Sequence, residues 1–412
     1  MNAVGIDVSK GKSTVAIIRP LGEIVYKPFD VEHNSQDLNN LAKLILSLEG
    51  ETKVVLESTG RYSDPIAKKL CDMGIFACVV NAKLIHDYGG DTIRRVKTDK
   101  VDSLKIAGFC LDKWVRLERH IPEPPVRKIL KTYNRQLSEY MKIKTMLKNN
   151  LISLTDQVFP NINSFFTSPA REKDGHEKWI DFLGKFWHSD CVSSCSLQVF
   201  KVRFQNWCKK NGYKFSENKA EKIHKLATNN FVTLPMDNFT KTLINQAVSQ
   251  INSLCETISA LKNEMTNLAK TLPEYETVMA MHGVGKTLAP QLIAEIGDIR
   301  RYPRRSSIVR FAGIEPPENQ SGAYNQHSRR ISKQGSPHLR KTLFQVMRCV
   351  LQNSNHDEPV FQFIDRKRSE NKPFKVYMIA GANKFLRAYY AKVKAIYDSL
   401  PYPNLENIEN VA

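Results

Sequence analysis

The feature that most constrains this chain is a run of apolar residues at alternating three- and four-residue steps: Ile244, Ala247, Ile251, Leu254, Ile258, Leu261, Met265, Leu268 and Leu272. Only an α-helix gathers such positions on one side, and a stripe kept through so many turns is the seam of a coiled coil. A second series, Leu130, Tyr133, Leu137, Tyr140, Leu147, Leu151, Leu154 and Val158, keeps the same steps and admits one polar residue, Lys144. The chain therefore contains two long helices, able to pair with each other or across subunits. Between them, residues 161–235 hold Trp179, Trp187 and Trp207, a content that suits a small folded insert rather than a linker.

The first part of the chain has a different rhythm. Ala3 to Asp7, Ser13 to Ile18 and Glu23 to Val31 are β-favouring runs with turn-formers between them. Helical stretches at Ser35 to Leu48 and Asp64 to Met73 then alternate with strand patterns at Lys53 to Leu56 and Ile75 to Val80. This alternation predicts an α/β sheet layer. From Lys83 to about Leu117 the pattern is helical, and Pro124 and Pro125 mark a boundary.

Charge narrows the class of partner. A formal charge of +19 surrounds the chain with a field that attracts polyanions, so nucleic acid leads. Eight cysteines scattered through 412 residues suit reduced thiols better than a disulfide framework. The N-terminus opens directly on a strand pattern, and no apolar run reaches membrane-spanning length. These features point to a cytoplasmic protein with no membrane partner.

Four acids stand where chemistry is commonly placed. Asp7, in VGIDVSK, and Glu57, in VVLESTG, each end a predicted strand, and adjacent parallel strands would set them side by side. Asp99 and Asp102, in KTDKVDS, lie three apart at the start of a helix and share one face. Carboxylates crowd together only when their repulsion is compensated, and a hard divalent cation, with Mg2+ first, compensates it. The plainer reading is a turn acid and two first-turn acids favoured by the helix dipole.

The basic C-terminal part offers two further signals. Met281-His282-Gly283-Val284-Gly285-Lys286 resembles the turn of a helix-hairpin-helix, whose backbone N–H groups meet a DNA phosphate; the alternative is an ordinary turn with a C-capping glycine. Between Arg301 and Val350, ten Lys or Arg face only Glu315 and Glu318, with Arg301, Arg304, Arg305, Arg329, Arg330, Lys333 and Arg340 as candidate phosphate contacts. Ser321 and Gly322 sit in a proline-bounded loop amid this charge. A serine there could attack a phosphate, and Ser328, Ser332 and Ser336 compete for the role.

Taken together, GIDVSK, LESTG, KTDKVDS, HGVGKTLA, FAGIEPPENQSG and RRISKQGSPHLRK resemble, in order, the motifs of the IS110 family of bacterial insertion-sequence DEDD transposases, also called bridge-RNA-guided serine recombinases. The resemblance covers roughly residues 1–160 and 240–395. It implies a RuvC-like, RNase H type N-terminal domain whose metal-binding acids, for Mg2+ or Mn2+, are Asp7, Glu57, Asp99 and Asp102. It also implies that Ser321 forms a covalent phosphoserine link to DNA. Implied partners are donor and target DNA, a structured noncoding bridge RNA, and further copies of the chain, as a homodimer assembling to a tetramer in a bacterial, nucleoid-associated setting. The alternative is a RuvC-like metal-dependent nuclease or junction resolvase without a serine intermediate.

The expected organisation is a RuvC-like domain at 1–118, coiled-coil helices at 119–160 and 236–273, and a helical insert at 161–235. A mainly α-helical transposase domain at 274–400 and a tail at 401–412 complete it. His188, Cys191, Cys195 and Cys208 fit no common zinc-finger spacing.

Overall fold

The computed structural model describes residues 1–88, 98–317, 320–321, 324–325 and 330–400. The chain divides after Pro124 into two units, Met1–Pro124 and Pro125–Ala412.

The first unit is built on a mixed five-stranded sheet. Its strands are β1 (Asn2–Val8), β2 (Lys12–Ile18), β3 (Ile24–Glu32), β4 (Thr52–Ser58) and β5 (Ala77–Asn81), in the order β3-β2-β1-β4-β5. The β1–β2 and β2–β3 pairs are antiparallel, whereas β4 runs parallel to both β1 and β5. Helices α1 (Ser35–Leu46) and α2 (Ser63–Asp72) bury Leu38, Leu41, Ile66 and Leu70 against Val4, Ile6, Val54 and Leu56 on one face. On the other face Ile106, Ala107 and Cys110 of α4 (Asp99–Asp112) pack on Ala3 and Val55, beside Ile85 of α3 (Ala82–Asp87). Strand alternation explains the two faces: successive side chains point to opposite sides.

The single helix expected from Lys83 to Leu117 is two helices. The first stops at Asp87, where Tyr88 turns extended, and the second begins after Thr98, whose hydroxyl accepts from the Val101 N–H at 3.3 Å.

In the second unit, α5 (Pro125–Val158) and α10 (Asn238–Lys270) are the two long helices, each about 50 Å at 1.5 Å per residue. Leu130 and Leu137 share a core with Ile258 and Met265, and Leu151 and Val158 share one with Ile244 and Ile251. The helices therefore run antiparallel, and both seams are spent inside the chain. An assembly through these seams, as the coiled-coil reading allowed, would have to reopen that core.

Between them, α6 (Lys178–Lys185), α7 (Asp190–Ser193), α8 (Leu197–Lys210) and α9 (Glu217–Asn229) close around Phe182, Phe186, Phe200, Phe204 and Trp207. Their core is continuous with α5 and α10, so the insert is an extension of the helical pair. His188 is a packed core histidine, with Nε2 at 3.1 Å from the Leu234 carbonyl and Nδ1 accepting from the Asp190 N–H. Lys144, the polar break in the first stripe, is where the insert docks: its Nζ lies 3.3 Å from Glu177, which Lys148 also holds at 2.6 Å.

The chain continues through α11 (Tyr275–Met279), α12 (Leu288–Ile296), α13 (Arg305–Ala312), the short pair β6 (Gln320–Ser321) and β7 (Tyr324–Asn325), α14 (Pro337–Asn353), α15 (Pro359–Ser369) and α16 (Phe374–Ser399). Ile293, Val346, Met347, Phe385 and Tyr389 lie at the centre of this core. A buried tie fixes it to the start of α5: Arg127 meets Glu274 at 2.7 Å, and the Tyr397 hydroxyl donates to Glu274 at 2.6 Å. Among the described residues no helix is long and apolar enough to cross a membrane, and all eight cysteines are free.

Candidate functional site

The parallel register pairs Ile6 with Leu56, so the next residues, Asp7 and Glu57, stand side by side at the ends of β1 and β4. Val4, Ile6, Val54 and Leu56 face α1 and α2; by alternation Asp7 and Glu57 face the α4 side. Both are half-buried, and neither lacks a partner.

Gly5 brings α4 to them. A Cβ on Gly5 would lie 2.3 Å from the Ala107 nitrogen and 2.3 Å from the Ser103 carbonyl oxygen, so α4 rests directly on the β1 backbone. Ser103 is buried at that contact, and Asp102 immediately precedes it. Asp99 and Asp102 both lie in the first turn of α4, with Asp99 exposed and Asp102 half-buried. Asp99 is near enough to the β1–β2 turn to help raise the pKa of Lys12, although the hydrogen bond to Asp30 is the larger cause.

Asp30 is an acid that pattern reading missed. Asp7 pairs with Thr14, and Thr14 with Asp30, so one rung of the sheet carries Asp30, Thr14, Asp7 and Glu57. Thr14 donates to Asp30 at 2.8 Å and Lys12 at 3.0 Å, and these bonds hold the Asp30 carboxyl below its usual pKa. Only strand register reveals this alignment.

Carboxylates of this kind are the oxygen donors that a hard divalent cation takes. The donor chemistry fits such an ion. The spacing is looser: among the described residues no group of three or more His, Cys, Asp or Glu is gathered closely enough to hold a metal. The fold thus brings Asp7 beside Glu57 and sets Asp99 and Asp102 on the helix that covers their face, without closing the four into one shell.

In the second unit, the loop that carries Ser321 is zipped at its base. Ser336 N–H donates to the Phe311 carbonyl at 2.9 Å, Lys333 to Gly313 at 3.0 Å and Ser332 to Glu315 at 3.0 Å. Further out, Gln320 pairs with Asn325 and Ser321 with Tyr324, which puts the Ser321 backbone at the tight end of a hairpin. Gly335 sits where a Cβ would come within 2.2 Å of the Phe311 oxygen, so the two limbs touch backbone to backbone.

Glu295 anchors this base. Its side chain is fully buried, and it accepts from Arg135 at 2.8 and 3.0 Å, from Asn134 at 2.8 Å and from the Ser336 hydroxyl at 3.1 Å. Burial opposes its charge, yet these donors hold its pKa below the usual carboxylate value. Ser336 also caps α14, accepting from the Leu339 N–H. Sequence reading weighed Ser336 only as a nucleophile; it belongs to the support of the hairpin.

The predicted phosphate contacts divide. Arg304, Arg305, Arg330 and Lys333 are exposed. Arg301 is exposed too, with its guanidinium over Phe311 at 4.5 Å and Tyr302 at 4.7 Å. Arg340 has a structural task as well: its Nη1 donates to the carbonyls of Ala312 at 3.0 Å and Gly335 at 3.2 Å, so it ties the hairpin base. Arg329 lies outside the described residues.

Gly283 is likewise a packing residue. It takes φ +78°, and a Cβ there would lie 2.4 Å from a Val350 methyl. Gly285 is open, Lys286 is exposed, and the α12 amino end that follows has no side-chain cap.

Residues 4–160 match a family model described as Transposase, for the DEDD transposases of IS110. Residues 275–361 match one described as Transposase IS116/IS110/IS902 family. The Pilin gene-inverting protein of Moraxella bovis is 28% identical over 144 residues, 34% of this chain and 44% of that protein. The chain thus spans less than half of that relative. The Insertion element IS116 uncharacterized 44.8 kDa protein of Streptomyces clavuligerus is 20% identical over 326 residues, 77% of each chain. The Transposase for insertion sequence element IS1111A of Coxiella burnetii is 27% identical over 113 residues, 27% of this chain and 31% of that one. Both matched segments carry the same assignment, transposase, on an acid-bearing sheet unit and a basic helical unit. The chain belongs to the IS110 family of insertion-sequence transposases.

Proposed function

We propose that this chain is a DNA transposase that excises and inserts an insertion sequence through a covalent phosphoserine intermediate. The observation that carries the reading is the pairing of Asp7 with Glu57 under the α4 face, held there by Gly5, in the segment that matches the DEDD family model. The strand order β3-β2-β1-β4-β5, with β1 and β4 parallel at the centre, supports a RuvC-like, RNase H type domain. The Moraxella relative, named for gene inversion, supports a reaction that rejoins what it cuts.

In this reading Asp7, Glu57, Asp99 and Asp102 hold Mg2+ or Mn2+, and Ser321 belongs to the same centre, from the same chain or another copy. The bound cation would supply charge compensation at the scissile phosphate. Ser321 Oγ attacks phosphorus, the new Oγ–P bond replaces the P–O bond to the leaving strand, and the serine proton ends on that strand's oxygen. A hydroxyl of the exchanged strand reverses the step, so no water is consumed. Arg304, Arg305, Arg330 and Lys333 neutralise phosphates along donor and target DNA. A bridge RNA pairs with both DNAs, and a homodimer assembles to a tetramer on them.

The test uses the full chain with Mg2+, element-end DNA and the RNA transcribed beside the gene, followed by denaturation. A protein–DNA adduct lost in Ser321→Ala, with Asp7→Asn and Asp102→Asn losing cleavage at least 100-fold, supports the reading. Free cleaved ends that persist in Ser321→Ala would replace it with a metal-dependent nuclease or junction resolvase.

A further inference from the structure

A cationic hollow opens in the second unit. It is a groove of about 380 Å3 between α5, α10, α12 and α14. Lys262, Lys341 and Arg348 line it, together with Gln291 and Gln345, and no lining residue is an aspartate or glutamate. The adjacent carboxylates are already committed, Glu139 to Lys142 at 2.8 Å and Glu295 to Arg135.

Lys262 is the telling residue. It projects from the middle of α10, half-buried, and among the described residues no carboxylate pairs with it. Burial and the neighbouring charge of Lys144 both push its pKa down. Such a cation, half-withdrawn from water and with no acid beside it, is available to an anion that enters the groove. Thr287, just before the nine-residue helix α12, lines the same groove, and the first two N–H groups of that helix are taken by the Gly285 carbonyl. A second hollow of about 450 Å3 shares Lys262 and Thr287 and adds Lys286, so the channel continues past the helix end.

The amide-bearing residues specify more than an anion. Lys341, Gln345 and Arg348 repeat at four- and three-residue steps along the exposed side of α14, facing Gln291 of α12. Glutamine side chains donate and accept at once, which suits the edge of a nucleobase, while lysine and arginine suit a phosphate. A cavity of this size lies within the range that encloses a small ligand such as one nucleotide.

We propose that this groove binds one nucleotide unit of a nucleic-acid strand, its phosphate against Lys262, Lys341 and Arg348 and its base against Gln291 and Gln345. The site is independent of the recombination reading, since neither Ser321 nor any acid of the first unit lines it. RNA and DNA share the required chemistry, and the test separates them.

The full-length chain is titrated into fluorescein-labelled U12 RNA and dT12 DNA, with anisotropy followed at several KCl concentrations. Lys262→Gln with Arg348→Gln weakens binding of at least one strand by about tenfold and lowers the salt slope by about two. Arg368→Gln with Lys375→Gln, an equal charge change on exposed parts of α15 and α16, leaves the same strand much less affected. A thiopyrimidine-bearing strand cross-links to peptides from 287–291 or 338–352. Loss confined to RNA or to DNA identifies the occupant, and loss on both identifies a site blind to the sugar. Lys262→Gln keeps or raises the thermal midpoint. Binding by the double variant equal to that of the control pair, cross-links confined elsewhere, or a lowered midpoint in Lys262→Gln would overturn the proposal. Loss of the DNA adduct in Ser321→Ala leaves this result untouched, so the two readings fail separately.

Discussion

The two units hold their chemistry in opposite ways. In the first, backbone geometry brings Asp7 and Glu57 together: a strand register sets them side by side, and the bare Cα of Gly5 lets α4 lie over their face. In the second, the backbone bonds that zip the hairpin of Ser321 are reinforced by side chains, with Glu295, Ser336 and Arg340 reaching across to its base. A backbone-built site is vulnerable to atoms added, and a side-chain-built site to atoms removed. Sheet register permits the first because every rung is fixed by neighbours on both sides, whereas the hairpin has only a short ladder and a few backbone bonds at its base and adds polar ties from side chains.

The largest effect should therefore come from an addition. Gly5→Val would drive its side chain into the backbone of Ser103 and Ala107, which cannot rotate away. We expect a loss of about 3 kcal/mol or more, or no folded first unit. Gly11→Ala is the contrast: that position has a left-handed φ, +84°, which Gly5 does not, but nothing within 4 Å. It should cost only about 1 kcal/mol. Hydrogen exchange over β1 and α4 in the full chain checks both; similar protection in the two variants would break the distinction.

Removal should act next, in the second unit. Glu295→Gln keeps the shape but deletes the charge that Arg135, Asn134 and Ser336 address. Breaking a buried pair costs about 3–5 kcal/mol, and because Arg135 is itself 44% exposed and can turn to water, about 2 kcal/mol is expected. The pH dependence has a defined sign. Glu295 titrates below its unfolded value, so its contribution is complete above the ordinary glutamate pKa of about 4.3 and disappears as pH falls through the lower folded value. Thermal midpoints should converge between parent and variant as the solution is acidified below that point. Parallel curves down to pH 3 would mean that the carboxylate is not the group that holds the hairpin.

Arg340→Gln should give a smaller loss, about 1–2 kcal/mol for its two carbonyl contacts, read as a lowered thermal midpoint. An unchanged midpoint, with weaker DNA binding instead, would return Arg340 to the phosphate-contact group in which its sequence neighbourhood placed it.

What could be read beforehand follows the same division. Period-two runs and their turns revealed β1 to β5, and the three- and four-residue stripes revealed α5 and α10, because burial leaves a periodic trace in one dimension. Asp7 and Glu57 were legible as strand-end acids. Asp30 was not, since its place on their rung depends on the pairing of three strands. Lys144 read only as a flaw in a stripe until Glu177, from the insert, accounted for it. The destination of each seam was equally hidden: Ile251 and Leu151 look the same whether their partner is another helix of the chain or another chain. Arg304 and Arg340 have identical side chains in equally basic stretches, and only the carbonyls of Ala312 and Gly335 distinguish their tasks.

That last pair gives the smallest expected effect on the fold and the sharpest test of the division. Arg304 and Arg305 open α13, both exposed, and neither has an acidic partner among the described residues. Replacing either by Gln should change stability by no more than about 0.5 kcal/mol. If they meet phosphate, each replacement should reduce the slope of log affinity for DNA against log salt by about one, with little dependence on sequence. Arg340→Gln should do the reverse, moving the melting curve while leaving the slope nearly fixed. Anisotropy titrations across a salt series, set beside melting curves of the same preparations, separate the outcomes. An arginine that moves both would show that the hairpin base is itself part of the DNA contact, and the line between supporting and contacting residues would then run through a single side chain.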